Sequence, residues 1–147
     1  MTDKVEFASP DWIAAITEIL ERNLAGADLS GRTITIAEEF TDSPAHLAPE
    51  GTTTIAWYFR VSDDGVEVHT GVPDSADLRT TVDYDAVLPI ARMIYGTTPE
   101  ALAEVQRRRD DMVQRGLMKR EGDERALPPE LLPRLFQVHN DIAERTA

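Results

Sequence analysis

Cysteine is absent from the 147-residue sequence. This excludes disulfide bonds, a thiol nucleophile and cysteine-ligated metal sites, and it suits a reducing compartment, so we expect a cytoplasmic protein. The sequence also lacks the roughly 20 consecutive apolar residues that a membrane-spanning helix needs. Its first residues, 1–6, do not show the basic and then apolar pattern of a signal peptide. We therefore expect no stable membrane insertion.

Positive charge is scarce. The sequence contains 15 Lys and Arg against 27 Asp and Glu, which gives a formal net charge of −12. Such a charge repels nucleic acid phosphates and anionic lipid head groups, so we expect no nucleic acid partner. Hydrophobic residues at 41% and charged residues at 29% are typical of a folded globular chain. The length predicts a single domain over residues 1–147 with a sizeable core.

Recognisable catalytic and cofactor motifs are absent as well. The sequence has no glycine-rich phosphate loop, no G-x-S-x-G elbow and no H-E-x-x-H. The three histidines, His46, His69 and His139, do not have metal-ligand spacing. We expect His46 to be solvated, His69 to pair with a polar neighbour, and His139 to pack or cap a helix. No metal and no cofactor are predicted.

Residues 53–72 give the clearest structural signal. Two runs rich in β-branched and aromatic residues flank Ser62-Asp63-Asp64-Gly65, and Gly65 accepts a positive φ angle without steric cost. One face of the first arm carries Ile55, Trp57, Phe59 and Val61. This alternation predicts a β-hairpin whose apolar face must be covered by helices.

Capping residues and apolar residues at helical spacing predict four helices. The expected helix starts are Ser9-Pro10, Asp83 or Asp85, Thr98-Pro99 and Pro128-Pro129. The expected ends of the first three are Gly26, Gly96 and Gly116. The last helix should cover about residues 129–146.

Further strands are predicted over residues 31–40, 76–82 and 117–120. Together with the hairpin and the helices, they predict an α+β fold, in which helices pack over one face of an antiparallel sheet of four to five strands. The simplest pairing of the first four strands is an antiparallel meander in sequence order.

Several charged clusters have both a structural and a functional interpretation. Asp83 and Asp85 could form an acid/base pair, but capping of the following helix is the simpler interpretation. Glu38 and Glu39 are expected at a solvated strand edge. The run Arg107-Arg108-Arg109 is most simply a solvated helix face, with a phosphate site, such as one for coenzyme A, as the alternative.

Apolar residues of the hairpin and the later helices are candidates for the lining of a ligand pocket. Methionines suit a pliable pocket wall, but they also fill gaps in a dry core. The residues alone favour the dry core. The candidate ligand-binding residues are Trp57, Phe59, Val68, Ile90, Met93, Ile94, Met112, Leu117 and Phe136.

Several short stretches resemble the sterol carrier protein type 2 domain family. They are the helix that opens at Trp12, the aromatic strand that leads into Asp64-Gly65, residues 66–71 with the acidic turn at Asp74, Val82-Asp83-Tyr84, and the glycine-opened basic strand of residues 116–123. The similarity covers about residues 10–123. It implies a similar fold, and binding of a sterol, fatty acid or acyl-coenzyme A in a tunnel between the sheet and the helices, lined by the candidate residues above.

Two features depart from that family. Its usual basic surface is replaced by strong acidity, and a final helix follows the family's core. This helix could close the tunnel, exchange with a partner chain in a homodimer, or cap the sheet.

Three hypotheses follow. The first is a non-enzymatic binding protein for a hydrophobic small molecule. It requires an apolar cavity between the sheet and the helices, and it assumes that the strands pair as a meander. The second is an isomerase or cyclase that acts on a polyketide-like or steroid-like substrate, with His69 or Asp83 as the base; it requires ionisable groups that converge in the pocket. The third is an interaction module, which requires an exposed apolar stripe on the final helix, namely Leu131, Leu135, Val138 and Ile142.

Overall fold

The computed structural model describes residues 3–147. In chain order its elements are α1 (Pro10–Leu24), β1 (Ile34–Thr41), β2 (Ile55–Ser62), β3 (Gly65–Thr70), β4 (Leu78–Asp83), α2 (Tyr84–Ala91), α3 (Pro99–Gln114), β5 (Met118–Gly122), a 3₁₀ turn (Glu124–Ala126) and α4 (Leu131–Arg145). The predicted α+β class, with a sheet of five mostly antiparallel strands, is confirmed.

The strands are arranged in the order β3-β2-β1-β4-β5. β1 pairs with β2 in antiparallel and with β4 in parallel orientation, so the predicted meander is wrong. The physical reason lies in the connection between β3 and β4, which brings Asp77 to β1. The backbone N–H of Thr35 donates to Asp77 Oδ2 at 2.8 Å, and the N–H of Asp77 donates to the carbonyl of Thr35 at 2.8 Å. These two bonds hold the start of β4 beside β1 instead of β3.

The first three helices begin at predicted caps, whereas α4 begins at Leu131, just after the predicted Pro128-Pro129, without a side-chain cap. Ser9 Oγ accepts from the backbone N–H of Trp12 at 3.2 Å, and Asp83 Oδ2 accepts from that of Ala86 at 2.9 Å. Thr98 Oγ1 accepts in the same way at the start of α3, at 3.1 Å. Each bond satisfies a backbone donor that has no partner within the helix.

The second helix ends earlier than predicted, at Ala91 instead of Gly96. Side chains of α4 bind the backbone that would have continued it. Asn140 Oδ1 accepts from the N–H of Tyr95 at 2.7 Å, and His139 Nε2 donates to the carbonyl of Met93 at 2.9 Å. The segment after α2 is therefore tied to α4.

The final helix lies over the sheet and packs against α1. The indole Nε1 of Trp12 donates to Thr146 Oγ1 at 3.2 Å, and Asp141 accepts from Asn23 at 3.0 Å. The stripe Leu131, Leu135, Val138 and Ile142 is buried or half-buried within the chain. The exposed stripe that the interaction-module hypothesis requires is therefore absent from the described residues 3–147.

We predict that Gly122→Ala destabilises the protein strongly. Gly122 has a φ angle of 103°, and a Cβ atom there would collide with the backbone oxygen of Asp77. Gly31 is a matched control, because it also has a positive φ, 77°, but no atom lies within 4 Å of its added Cβ. Gly122→Ala should lower the free energy of unfolding by at least about 2 kcal/mol more than Gly31→Ala in urea titrations. Equal losses would contradict the close approach of β5 to Asp77.

Candidate functional site

A pocket of about 250 Å³ lies between the sheet and the helices. Most of its wall is apolar and comes from both layers. The wall includes Phe7, Ile16, Phe40, Phe59, Ile90 and Val138. Because α1, α2 and α4 supply most of one side and the sheet supplies the other, the pocket depends on how the helices pack against the strands.

The strand register aligns side chains into rows across the covered face of the sheet. One row contains Val68, Phe59, Ile36 and Leu78, and another contains Ile55, Phe40, Val82 and Met118. The row between them is Thr70, Trp57, Glu38, Thr80 and Arg120. Since side chains of paired residues point to the same face, a largely polar row lies between two apolar rows.

Glu38 lies at the middle of this row and lines the pocket. Desolvation raises the pKa of its carboxyl group, while Trp57 and the guanidinium groups of Arg109 and Arg120 oppose that rise without cancelling it. A carboxyl group with a raised pKa in an apolar pocket is a stronger base than an ordinary carboxylate and can accept a proton or a hydrogen bond.

The indole of Trp57 is only 2% exposed, and its Nε1 has no hydrogen-bond partner among the described residues. Trp57 is paired in register with Glu38, and its indole N–H lowers the pKa of the Glu38 carboxyl group as a hydrogen-bond donor would, although the geometry between the two groups falls short of a hydrogen bond. A buried N–H group without a partner costs free energy. The pocket therefore holds a hydrogen-bond donor that the protein itself does not satisfy.

Tyr95, His139 and Arg109 form a second polar group on the pocket wall. The rings of Tyr95 and His139 are stacked at 3.7 Å between centroids, 10° from parallel. Arg109 Nη2 donates to the Tyr95 hydroxyl at 3.3 Å, and its guanidinium carbon lies 5.8 Å from the centre of the Tyr95 ring. Burial raises the pKa of Tyr95, so its hydroxyl stays neutral.

His139 is neutral at pH 7. Burial, together with the nearby Arg109, lowers its pKa to about 4, although its hydrogen bond to the carbonyl of Met93 opposes the shift. The neutral ring donates from Nε2 to that carbonyl, so Nδ1 is the deprotonated nitrogen. Together with Asn140, which bonds both backbone groups of Tyr95, His139 fixes Tyr95 at the pocket wall.

The predicted ligand-binding residues divide into two sets. Trp57, Phe59 and Ile90 line the pocket. The others lie outside its lining and are Val68, Met93, Ile94, Met112, Leu117 and Phe136. Ile94 follows the early end of α2 and is 50% exposed, whereas Phe136 packs on Tyr95 at 5.7 Å between ring centroids. A role in binding stays a prediction for all nine residues.

The two bases considered in the sequence do not line the pocket. His69 is exposed on the opposite face of the sheet, where its ring stacks on Tyr58 at 5.1 Å. Asp83 caps α2. The structure instead brings together Glu38, Tyr95 and Arg109.

The arginine run on α3 is divided by the structure. Arg107 and Arg108 form ion pairs with Glu104 on the helix surface, as the solvated-face interpretation predicts. Arg109 instead lines the pocket. Glu38 and Glu39 are divided as well: Glu39 pairs with Arg79 at 3.4 Å, whereas Glu38 lies in the pocket and not at the expected solvated edge.

Comparisons with known proteins identify solved structures with a similar fold. No family model matches the chain, and no curated protein matches it in sequence. Sterol carrier protein 2 is similar in structure, with a TM-score of 0.55 and 12% identity over 96% of this chain and 100% of that chain. A conserved hypothetical protein of Thermus thermophilus, described as possibly a sterol carrier protein, has a TM-score of 0.50 and 14% identity over 97% and 95% of the two chains. The predicted resemblance is confirmed at the level of the fold.

None of the helices within residues 3–147 has the length and apolar character needed to cross a membrane.

We predict that His139 makes the stability depend on pH. Because its folded pKa of about 4 lies below the ordinary value of 6.5, the unfolded chain binds the proton more tightly. The stabilising effect of the neutral ring is complete above about pH 6.5 and is lost as the pH falls to about 4. His139→Gln keeps a donor for Met93 but does not titrate. The free energy of unfolding of the wild type, relative to this variant, should fall by about 2–3 kcal/mol between pH 6.5 and 4.

Urea titrations at several pH values check this prediction. The difference between the two proteins isolates His139 from Glu38, whose raised pKa has the opposite effect on stability. A difference that does not change between pH 6.5 and 4 would show that the imidazole is not desolvated.

Proposed function

We propose that this chain binds a hydrophobic small molecule in the pocket between the sheet and the helices, without chemical conversion. The apolar wall of the pocket is the observation that carries the proposal. The hypothesis from the sequence assumes a meander, but the observed order β3-β2-β1-β4-β5 also leaves one face of the sheet under the helices, so the proposal depends on the pocket and not on that pairing. Transfer of a hydrocarbon from water to such a wall contributes about 25 cal/mol for each Å² buried. The similarity in fold to sterol carrier protein 2 supports a carrier role.

The pocket volume favours a slender ligand. At about 250 Å³ it lies just below the roughly 300–1,000 Å³ that is usual for sites of drug-sized ligands. A single acyl chain fits this space better than a four-ring sterol does. Acyl-coenzyme A is disfavoured, because Arg107 and Arg108 are paired with Glu104 and lie outside the pocket wall.

A cavity-filling variant tests the proposal. Ala91 lines the pocket, and Ala91→Phe puts a benzene ring where the ligand would lie. Ala14→Phe is the matched control, because Ala14 is exposed on α1. We expect Ala91→Phe to reduce the affinity for a fluorescent acyl probe at least about tenfold, while Ala14→Phe leaves it unchanged.

The same proteins are then measured by native mass spectrometry, with extraction of any co-purified lipid. A stoichiometric acyl lipid on the wild type and on Ala14→Phe, and none on Ala91→Phe, is the expected result. Wild-type protein that binds no acyl or sterol probe, and whose melting temperature does not shift with them, would refute the proposal.

The polar groups on the pocket wall support a second candidate, an isomerase or cyclase. Glu38, Tyr95 and Arg109 converge on the pocket, which is the arrangement that the enzyme hypothesis requires. Glu38 would act as the general base, since burial raises its pKa above that of an ordinary carboxyl group. The neutral Tyr95 hydroxyl, or Arg109, would donate a hydrogen bond to the oxygen that becomes negatively charged.

Isomerisation of a β,γ-unsaturated cyclic ketone in D₂O tests this candidate. If Glu38 is the base, it removes a proton from the carbon between the carbonyl and the double bond, and the resulting dienolate is reprotonated at the γ-carbon. The wild type then accelerates formation of the conjugated ketone, and deuterium enters that γ-carbon. Glu38→Gln should reduce this rate by about 10²–10⁴-fold while binding of the acyl probe persists. A wild-type rate equal to that of buffer would contradict the enzymatic candidate and leave the carrier proposal unaffected.

A further inference from the structure

The Trp57 indole offers a hydrogen bond inside the pocket. Its side chain is 2% exposed, and its Nε1 has no partner among residues 3–147. By contrast, Trp12 on the opposite layer donates its Nε1 to Thr146 at 3.2 Å. Because buried indole N–H groups usually find an acceptor, the exception at Trp57 points to an acceptor on a ligand.

An acceptor lies beside this donor. Glu38 is the register partner of Trp57, and both residues line the pocket. An ionised carboxylate only accepts hydrogen bonds, and an indole N–H only donates. A ligand group that satisfies both must accept one hydrogen bond and donate another from the same place.

A hydroxyl group meets this requirement with one atom. We propose that the pocket selects a slender hydrophobic molecule with a hydroxyl group, whose oxygen accepts from Trp57 Nε1 and whose hydrogen is donated to the Glu38 carboxylate. This inference rests on the proposed binding function and specifies the chemistry of the ligand's polar end.

The Glu38 carboxyl group disfavours a carboxylate ligand. A ligand carboxylate has no hydrogen to donate to Glu38, and two carboxylates side by side repel each other. The two guanidinium groups nearby already have partners in the chain, since Arg120 pairs with Glu124 and Arg109 donates to Tyr95. An ether is also disfavoured, because it can accept from Trp57 but has nothing to donate to Glu38.

Three ten-carbon probes test the inference: 1-decanol, 1-methoxydecane and decanoate, each measured at pH 7.5 by displacement of the fluorescent acyl probe. The wild type should bind 1-decanol about tenfold more tightly than 1-methoxydecane, because only the alcohol donates to the carboxylate. Decanoate should bind more weakly than 1-decanol.

Two variants assign the effect to atoms. Glu38→Leu should abolish the preference for the alcohol over the ether and keep binding to both, because it removes the acceptor and leaves an apolar wall. Trp57→Phe should weaken both probes about tenfold, because it removes the donor that each oxygen uses. Tyr58→Phe is the control, because the neighbouring Tyr58 points to the opposite face of the sheet, where it stacks on His69; all three affinities should be unchanged.

The outcomes separate this inference from the binding function. Equal affinities of the wild type for 1-decanol and 1-methoxydecane, tighter binding of decanoate than of 1-decanol, or a preference that survives Glu38→Leu would each overturn the hydroxyl assignment. In those cases the probes still bind, so the carrier proposal stands. If none of the three probes binds to the wild type, the carrier proposal fails, and this inference fails with it.

Discussion

The register of β1 against its two neighbours determines which side chains lie beneath the helices. β1 is the middle strand, antiparallel to β2 and parallel to β4, so its side chains are aligned with those of both. A shift of one residue would turn every side chain of β1 to the other face. Glu39 would then lie in the pocket and Phe40 would be turned away from it. The bonds between Thr35 and Asp77 oppose such a shift.

This register lowers the stability of the fold, because it buries polar groups that the packing of the core does not require. It puts a carboxyl group at the centre of the covered face, where desolvation raises its pKa, so the ionised form of Glu38 destabilises the folded chain at neutral pH. The indole N–H of Trp57 beside it lacks a partner among the described residues. An apolar pair at these positions would give a more stable core. Two unfavourable groups side by side in a pocket are typical of a functional site.

Local signals predicted the elements but not all of their contacts. The helix caps and the hairpin depend on neighbouring residues and were correct, whereas the parallel pairing of β1 with β4 depends on residues far apart in the chain. The inward direction of Glu38 could have been predicted, because it has the same parity as Ile36 and Phe40. The solvated edge is the simpler expectation from sequence because charged residues are rarely buried. Tyr95 gave no comparable signal, since its position depends on Asn140 in the last helix.

The final helix, α4, does more than cover the pocket. Through His139 and Asn140, α4 binds the segment that follows α2, and Tyr95 reaches the pocket wall only because that segment leaves the helix early. Arg109 then bonds the Tyr95 hydroxyl, so Tyr95 links α3 to the segment that α4 holds. The apolar part of the pocket therefore depends on how α1 and α4 cover the sheet, and its polar part depends on which side chains α4 uses as anchors. Substitutions on α4 can alter the polar end of the pocket without changing the strands beneath it.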